Sequence, residues 1–331
     1  MRGEAVTETT CDLVVVGAGP AGLYAAYYAG FRGLTVAIVD TLPEPGGQVT
    51  AMYPEKMIFD VGGFAAIKGR DLVTGLVEQA GQYQPTYLLG RQAVRLTPEG
   101  DGGYTVELAD GATVQTRSIL ITGGLGTFTP RPLPAGQEWA GRGVVNFVPA
   151  LAAHAGQDVV VVGGGDSAFD WALALHPVAK SVTLIHRRAK FRAHAGTITA
   201  VQELGIELVT DAQVKELRAG ASGELAEVVV EVDGALRTLP AQAVIAALGF
   251  TADLGPLTEW ALEIDRRQIV VDSHMRTARP LIYGAGDIVT YPGKVSLIAT
   301  GFGEAATAVN NIAVELDPSA HLFPGHSSNE G

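Results

Sequence analysis

Apolar residues along this chain gather in short, dense runs that glycines interrupt. LVVV at 13–16 breaks into GAGPAG, a helical stretch LYAAYYAGFRG follows, and a second run, LTVAIVD, ends on Asp40. The same order returns at 158, where DVVVVGGGDSAFDWALAL leads into SVTLIHRR. Runs without polar alternation predict strands covered on both faces, with helices crossing between them. Elsewhere the period changes. Residues 69–82 set Leu72, Leu76 and Val77 on one face of an amphipathic helix. YTVELAD and GATVQTRSILITGG read as a hairpin turning at Asp110 and Gly111. Residues 205–239 alternate in β fashion, AVIAALGF suggests a return to the first domain, and a long helix is expected from about 297–300. The fold expected is α/β, with two dinucleotide-binding, Rossmann-like domains. The first is discontinuous, 1–122 and 245–331, and the second is inserted at 123–244; the turn-rich GTFTPRPLPAG suits the crossing.

Composition narrows the class. With 331 residues, 47% of them apolar, and a mean hydropathy of +0.23, the chain can fill two cores. Its apolar runs are too short to span a bilayer, and MRGEAVTETT carries no apolar signal region, so the reading is a cytoplasmic protein without a membrane anchor. A formal charge of −12 argues against a general nucleic-acid binder. The single cysteine, Cys11, excludes an internal disulfide and any CxxC pair, and its place at a strand start predicts a small buried side chain. No metal site is expected.

The candidate chemistry sits at the strand ends. Gly17 allows the sharp turn after the first strand, Gly19 lets backbone approach a pyrophosphate, and Gly22 permits close packing of helix on strand. Asp40, 23 residues after Gly17, is placed to accept ribose hydroxyls. In the second unit Gly163, Gly165 and Ala168 fill the three fingerprint positions, and Asp166 and Ser167 open the helix, where they also suit ordinary N-capping. The ribose-binding acid is missing there. His186, Arg187, Arg188 and Arg192 stand in its place, a cationic cluster that favours the 2′-phosphate of NADPH over NADH. The long loop after Asp40 offers the backbone of Gly46 and Gly47, the amide of Gln48 and the ring of Tyr53, which reads equally as a flavin-stacking or a core aromatic. Asp287 is placed to accept a hydrogen bond from a ribityl hydroxyl, and the helix beyond it points its N-terminus at a flavin ring or phosphate.

GGQ at 46–48, YPEKMIFDVGGF at 53–64, GGGDSAFDWAL at 163–173, HRRAKFRAH at 186–194 and GDIVTYPGKVSLIATGFGEAATAVNN at 286–311 resemble the thioredoxin-reductase-like ferredoxin(flavodoxin)–NADP⁺ reductases over nearly the whole chain. The resemblance implies FAD contacts from Asp40, Gln48, Tyr53, the Ala93 backbone, Phe128 and Asp287. It implies a homodimer in which the tail residues His326, Ser327 and Ser328 close over the partner subunit's flavin, with Tyr53 and His326 flanking the isoalloxazine. Thr127 and Ala195 depart from the residues usual in that family, and the second domain lacks the CxxC of thioredoxin reductase proper, so no exchange route leads from flavin to a dithiol.

The expected reaction is hydride transfer from NADPH to flavin N5, then single-electron steps to ferredoxin or flavodoxin, with a rotation between domains about strands near 120 and 245. No protein acid, base or nucleophile is expected to be catalytic. Docking an acidic partner on an acidic chain needs a local basic patch, for which Lys56, Lys68 and Arg70 are candidates. Rival readings are an NADPH-dependent flavin or quinone reductase or diaphorase with a small acceptor, and a non-catalytic flavin redox sensor.

Overall fold

The computed structural model describes residues 8–100 and 102–325, with the side chains of Thr127, Phe128 and Ala252 left aside. The chain divides into two compact units. One comprises residues 1–51, 57–127 and 252–331; the other comprises 52–56 and 128–251. The crossings at 127/128 and 251/252 lie a few residues beyond those expected. There, strands Thr127–Pro130 and Phe250–Asp253 pair with each other.

The first unit is built on a seven-stranded sheet. Its parallel part places Thr86–Leu89, Val36–Asp40, Glu8–Val16, Thr113–Ile121 and Ile282–Gly284 side by side. LVV at 13–15, VAIV and SILI are buried along their length, as strands covered on both faces must be. Strand Thr113–Ile121 serves two partners on one edge: its first half pairs antiparallel with Tyr104–Leu108, and its second half pairs parallel with Ile282–Gly284. The expected hairpin turns at Gly111, whose φ of +87° a glycine adopts without strain. Helix Gly69–Gly81 buries Leu72, Val73 and Leu76, while Val77 is only half-buried. The stretch after Asp40 is not one open loop. It holds helix Gln48–Met52 and a small hairpin of Met57–Ile58 with Ile67–Lys68.

The second unit has a five-stranded parallel sheet, ordered Val144–Val145, Ala243–Ala246, Asp158–Val162, Ser181–Ile185 and Glu207–Val209. The valines of Asp158–Val162 alternate between two cores, because successive side chains on a strand point to opposite faces. Val159 and Val161 pack with Phe169, Trp171 and Leu175 of helix Asp166–Leu175. Val160 and Val162 pack with Val214, Val228 and Leu239 of a three-stranded antiparallel sheet, Ala212–Ala219, Leu225–Val232 and Ala235–Pro240. That sheet is the alternating stretch expected at 205–239. Among the described residues no helix is long and apolar enough to cross a membrane, and no cluster of metal-ligating side chains occurs.

Candidate functional site

In the first unit the strand Glu8–Val16 turns into helix Pro20–Phe31 through the glycines expected of a phosphate loop. Gly17 has φ +118°, and a Cβ there would stand 2.5 Å from the carbonyl oxygen of Thr122. A Cβ on Gly22 would collide with the Gly17 carbonyl and lie 2.7 Å from the Thr122 hydroxyl. Nothing lies within 4 Å of a Cβ on Gly19, the residue that caps the helix without any side-chain bond. Two glycines are therefore fixed by packing, and the third faces open space beside the helix amides, where a pyrophosphate would sit. Thr122 was not expected. Its hydroxyl donates to the Gly17 carbonyl at 2.8 Å and holds the turn; the only sequence signal is its place just after the SILI strand.

Other parts of the chain close on the same loop. The Gly46 N–H donates to the Ala18 carbonyl at 2.8 Å, and a Cβ on Gly47 would stand 3.0 Å from the Gly19 Cα. The Gln48 amide lies beside Gly124. Asp40 accepts the Ala18 N–H at 2.6 Å and the Leu42 N–H at 2.8 Å, so the carboxylate expected to hold a ribose also braces the turn. Burial pushes the Asp40 carboxyl above its ordinary range, and those two bonds draw it back. Ala93 is buried at the start of strand Ala93–Pro98. The Asp287 turn follows strand Ile282–Gly284, and there Gly286 lies 3.4 Å from the Ala21 Cβ by the same measure. Asp287 is half-buried, and burial raises its carboxyl while Lys294 lowers it. Helix Ile298–Leu316 begins nearby: a Cβ on its Gly301 would stand 3.4 Å from Ala21 and 3.5 Å from Gly286.

Not every expected residue joins this set. Tyr53 is counted with the second unit, where it packs on the core containing Phe169 and Trp171 and lines a small recess with Phe147 and Phe250. Lys56 is engaged in an ion pair with Asp170. The Phe128 side chain and His326, Ser327 and Ser328 lie outside the described residues.

The second unit repeats the cradle with different walls. A Cβ on Gly163 would collide with the Ala247 carbonyl, and one on Gly164 with the His186 ring, while Gly165 faces open space at the start of helix Asp166–Leu175. Gly165 is the N-cap, so Asp166 and Ser167 do not cap the helix. The Asp166 carboxylate instead accepts the His194 N–H at 2.9 Å, and the Arg192 N–H donates to the Gly164 carbonyl at 2.7 Å. These two bonds fasten the stretch 186–194 to the glycine turn. Arg187, Arg188 and Arg192 are exposed, and among the described residues none of them pairs with a carboxylate. His186 differs from them. Its ring lies against Phe191 at 5.6 Å, and burial, followed by Arg187 and Arg192, pushes its pKa below the usual histidine range. The cationic cluster at neutral pH thus consists of the three arginines.

The family of pyridine nucleotide-disulphide oxidoreductases matches residues 11–311. A ferredoxin–NADP reductase of Saccharopolyspora erythraea is 66% identical over 321 residues, covering 97% of this chain and 98% of that protein. A protein of the same name from Halalkalibacterium halodurans is 47% identical, over 97% of this chain and 98% of its own length. The crystal structure of T. acidophilum thioredoxin reductase matches with a TM-score of 0.78 at 26% identity, covering 94% of this chain and 99% of that one.

Proposed function

The chain belongs to the pyridine nucleotide-disulphide oxidoreductase family, and on that premise we propose that it is a ferredoxin–NADP reductase, passing electrons between NADPH and ferredoxin or flavodoxin. Its cofactors are FAD and NADPH. When bound, FAD supplies hydride acceptance at N5 and one-electron release. The observation that carries this reading is a double cradle without a dithiol. Gly19 and Gly165 each face the space a pyrophosphate needs, whereas the one cysteine of the chain, Cys11, is buried in the strand Glu8–Val16. Thiol exchange, the route implied by the family's name, has no pair of sulfurs to run on. The names of the relatives supply the alternative acceptor.

In this reading Gly17, Gly19, Gly22, Asp40, Gly47, Gln48 and Asp287 hold FAD, with Ala93 and Phe128 beside it. Gly163, Gly165, Asp166 and Ser167 receive the NADPH pyrophosphate, and Arg187, Arg188 and Arg192 receive its 2′-phosphate. The partner subunit's His326 flanks the ring in a homodimer, with Ser327 and Ser328 in the closing tail. Because the two nucleotides bind in separate units, hydride transfer depends on a rotation about Thr127–Pro130 and Phe250–Asp253. The test is NADPH and NADH oxidation with ferredoxin or flavodoxin as acceptor, set beside oxygen and a quinone. NADPH is expected to win, the iron–sulfur or flavin protein to accelerate turnover, and Arg187→Ala/Arg188→Ala to lower kcat/KM for NADPH about 100-fold while leaving NADH within about threefold. Turnover that ferredoxin and flavodoxin leave unchanged would assign the chain a small acceptor instead.

A further inference from the structure

The first unit buries one network of charged groups next to the Asp287 turn. Glu304, on helix Ile298–Leu316, is 4% exposed, and the Lys294 side chain is 6% exposed. One Glu304 oxygen accepts the Gly286 N–H at 2.8 Å and the Lys294 ammonium at 2.7 Å. The other accepts the Tyr291 hydroxyl at 2.6 Å and the same ammonium at 2.5 Å. Lys294 also lies 5.7 Å from the centre of the Tyr291 ring. Burial and the bond to Glu304 push the Tyr291 hydroxyl up to about 12, which keeps it a donor.

A buried ion pair is a poor device for stability alone, since desolvation of both charges offsets much of their attraction and apolar residues of like volume hold a fold as well. What it supplies is direction. Three points of one turn, Gly286, Tyr291 and Lys294, converge on a single carboxylate of the helix, and Asp287 lies between the first and second of them. Beyond Lys294, Ser296 is near enough to the Asp287 carboxyl to help lower its pKa against burial, and the helix starts at Ile298. We infer that Glu304 and Lys294 are positioning residues for flavin binding, clamping the Asp287 turn to the start of helix Ile298–Leu316 so that the carboxylate and the helix amides address one ligand. The inference rests on FAD occupying this unit and is independent of which protein takes the electrons.

The experiment follows FAD release from the diluted holo-protein by recovery of free flavin fluorescence, with far-UV unfolding midpoints and visible circular dichroism of the flavin bands alongside. Lys294→Met/Glu304→Leu leaves the Gly286 N–H and the Tyr291 hydroxyl without their acceptor, so a lowered unfolding midpoint is expected with it. The positioning role is read, under conditions where the variant is folded, in an altered flavin dichroism and FAD release about tenfold or more faster. In an Asp287→Asn background, which by itself speeds release, the same pair of changes is expected to add no more than about twofold, the mark of two changes acting through one group. Should the double variant fail to fold, Tyr291→Phe removes one bond and keeps the charges; it is expected to speed release about threefold, with the same loss of effect in the Asp287→Asn background. Wild-type release from the pair variant, full additivity with Asp287→Asn, or an Asp287→Asn protein that releases FAD at the wild-type rate would each overturn the inference.

Discussion

At the scale of single residues, the three glycines of the first turn are not equivalent, and substitution separates them. Gly19→Ala meets no atom of the protein, so it is expected to change stability without cofactor by less than about 0.5 kcal/mol while occupying the space of the pyrophosphate and weakening FAD binding about tenfold or more. Gly22→Ala drives a methyl into the Gly17 carbonyl and is expected to cost about 3 kcal/mol or more of folding stability. Urea unfolding with and without added FAD distinguishes the two. The glycine pattern was legible in the sequence because its spacing is local and each position has one physical reason. Thr122 and Glu304 were not legible. Thr122 bonds a carbonyl 105 positions away, and Glu304 reaches back 18 positions to the Gly286 N–H; neither residue type advertises such a partner. The N-capping role considered for Asp166 was misplaced for a related reason. Gly165 has the extended backbone of a cap, which frees the Asp166 carboxylate to hold His194.

At the scale of elements, the stretch 186–194 behaves as a strap over the second glycine turn. His186 fills the space above Gly164, and Arg192 and His194 tie the far end. Burial lowers the His186 pKa in the folded chain, so the unfolded chain takes the proton more readily. The stability linked to this group is therefore complete above the unfolded value of about 6.5 and is lost as pH falls from there toward the folded pKa. Unfolding midpoints at pH 7.5 and 5.5 are expected to separate more widely in the wild type than in His186→Gln. An equal separation would show that the strap does not feel this proton. Element types were read well where the period was sustained, as in helix Gly69–Gly81 and the hairpin around Gly111. The doubling of partners along Thr113–Ile121 was hidden, because pairing depends on which distant strand reaches the edge, and Ile282–Gly284 lies more than 160 residues further on.

At the scale of the whole molecule, a net charge of −12 sets the terms of encounter with an acidic protein. Of the basic residues expected to receive it, Lys56 pairs with Asp170, and Lys68 and Arg70 stand exposed at the junction of a hairpin strand and helix Gly69–Gly81. At a Debye length of about 8 Å the local cations outweigh the distant acids, so the second-order rate with ferredoxin is expected to fall severalfold between low salt and about 0.5 M, and to fall less in Lys68→Ala/Arg70→Ala. A rate that climbs with salt would assign the encounter to net charge. The two-unit organisation was visible in the repeated strand–glycine–helix order. The grouping of 52–56 with the second unit was not, since nothing in the residues MYPEK states which core they will join. The buried sulfur also has a use at this scale. Cys11 is 7% exposed, its thiol is pushed up chiefly by burial, and it is the only one in the chain. Thiol-directed dyes therefore find the native protein nearly silent. Cysteines introduced one per unit would carry a donor and an acceptor fluorophore without removal of a natural thiol, so the distance between the units can be followed during turnover in a protein otherwise unaltered.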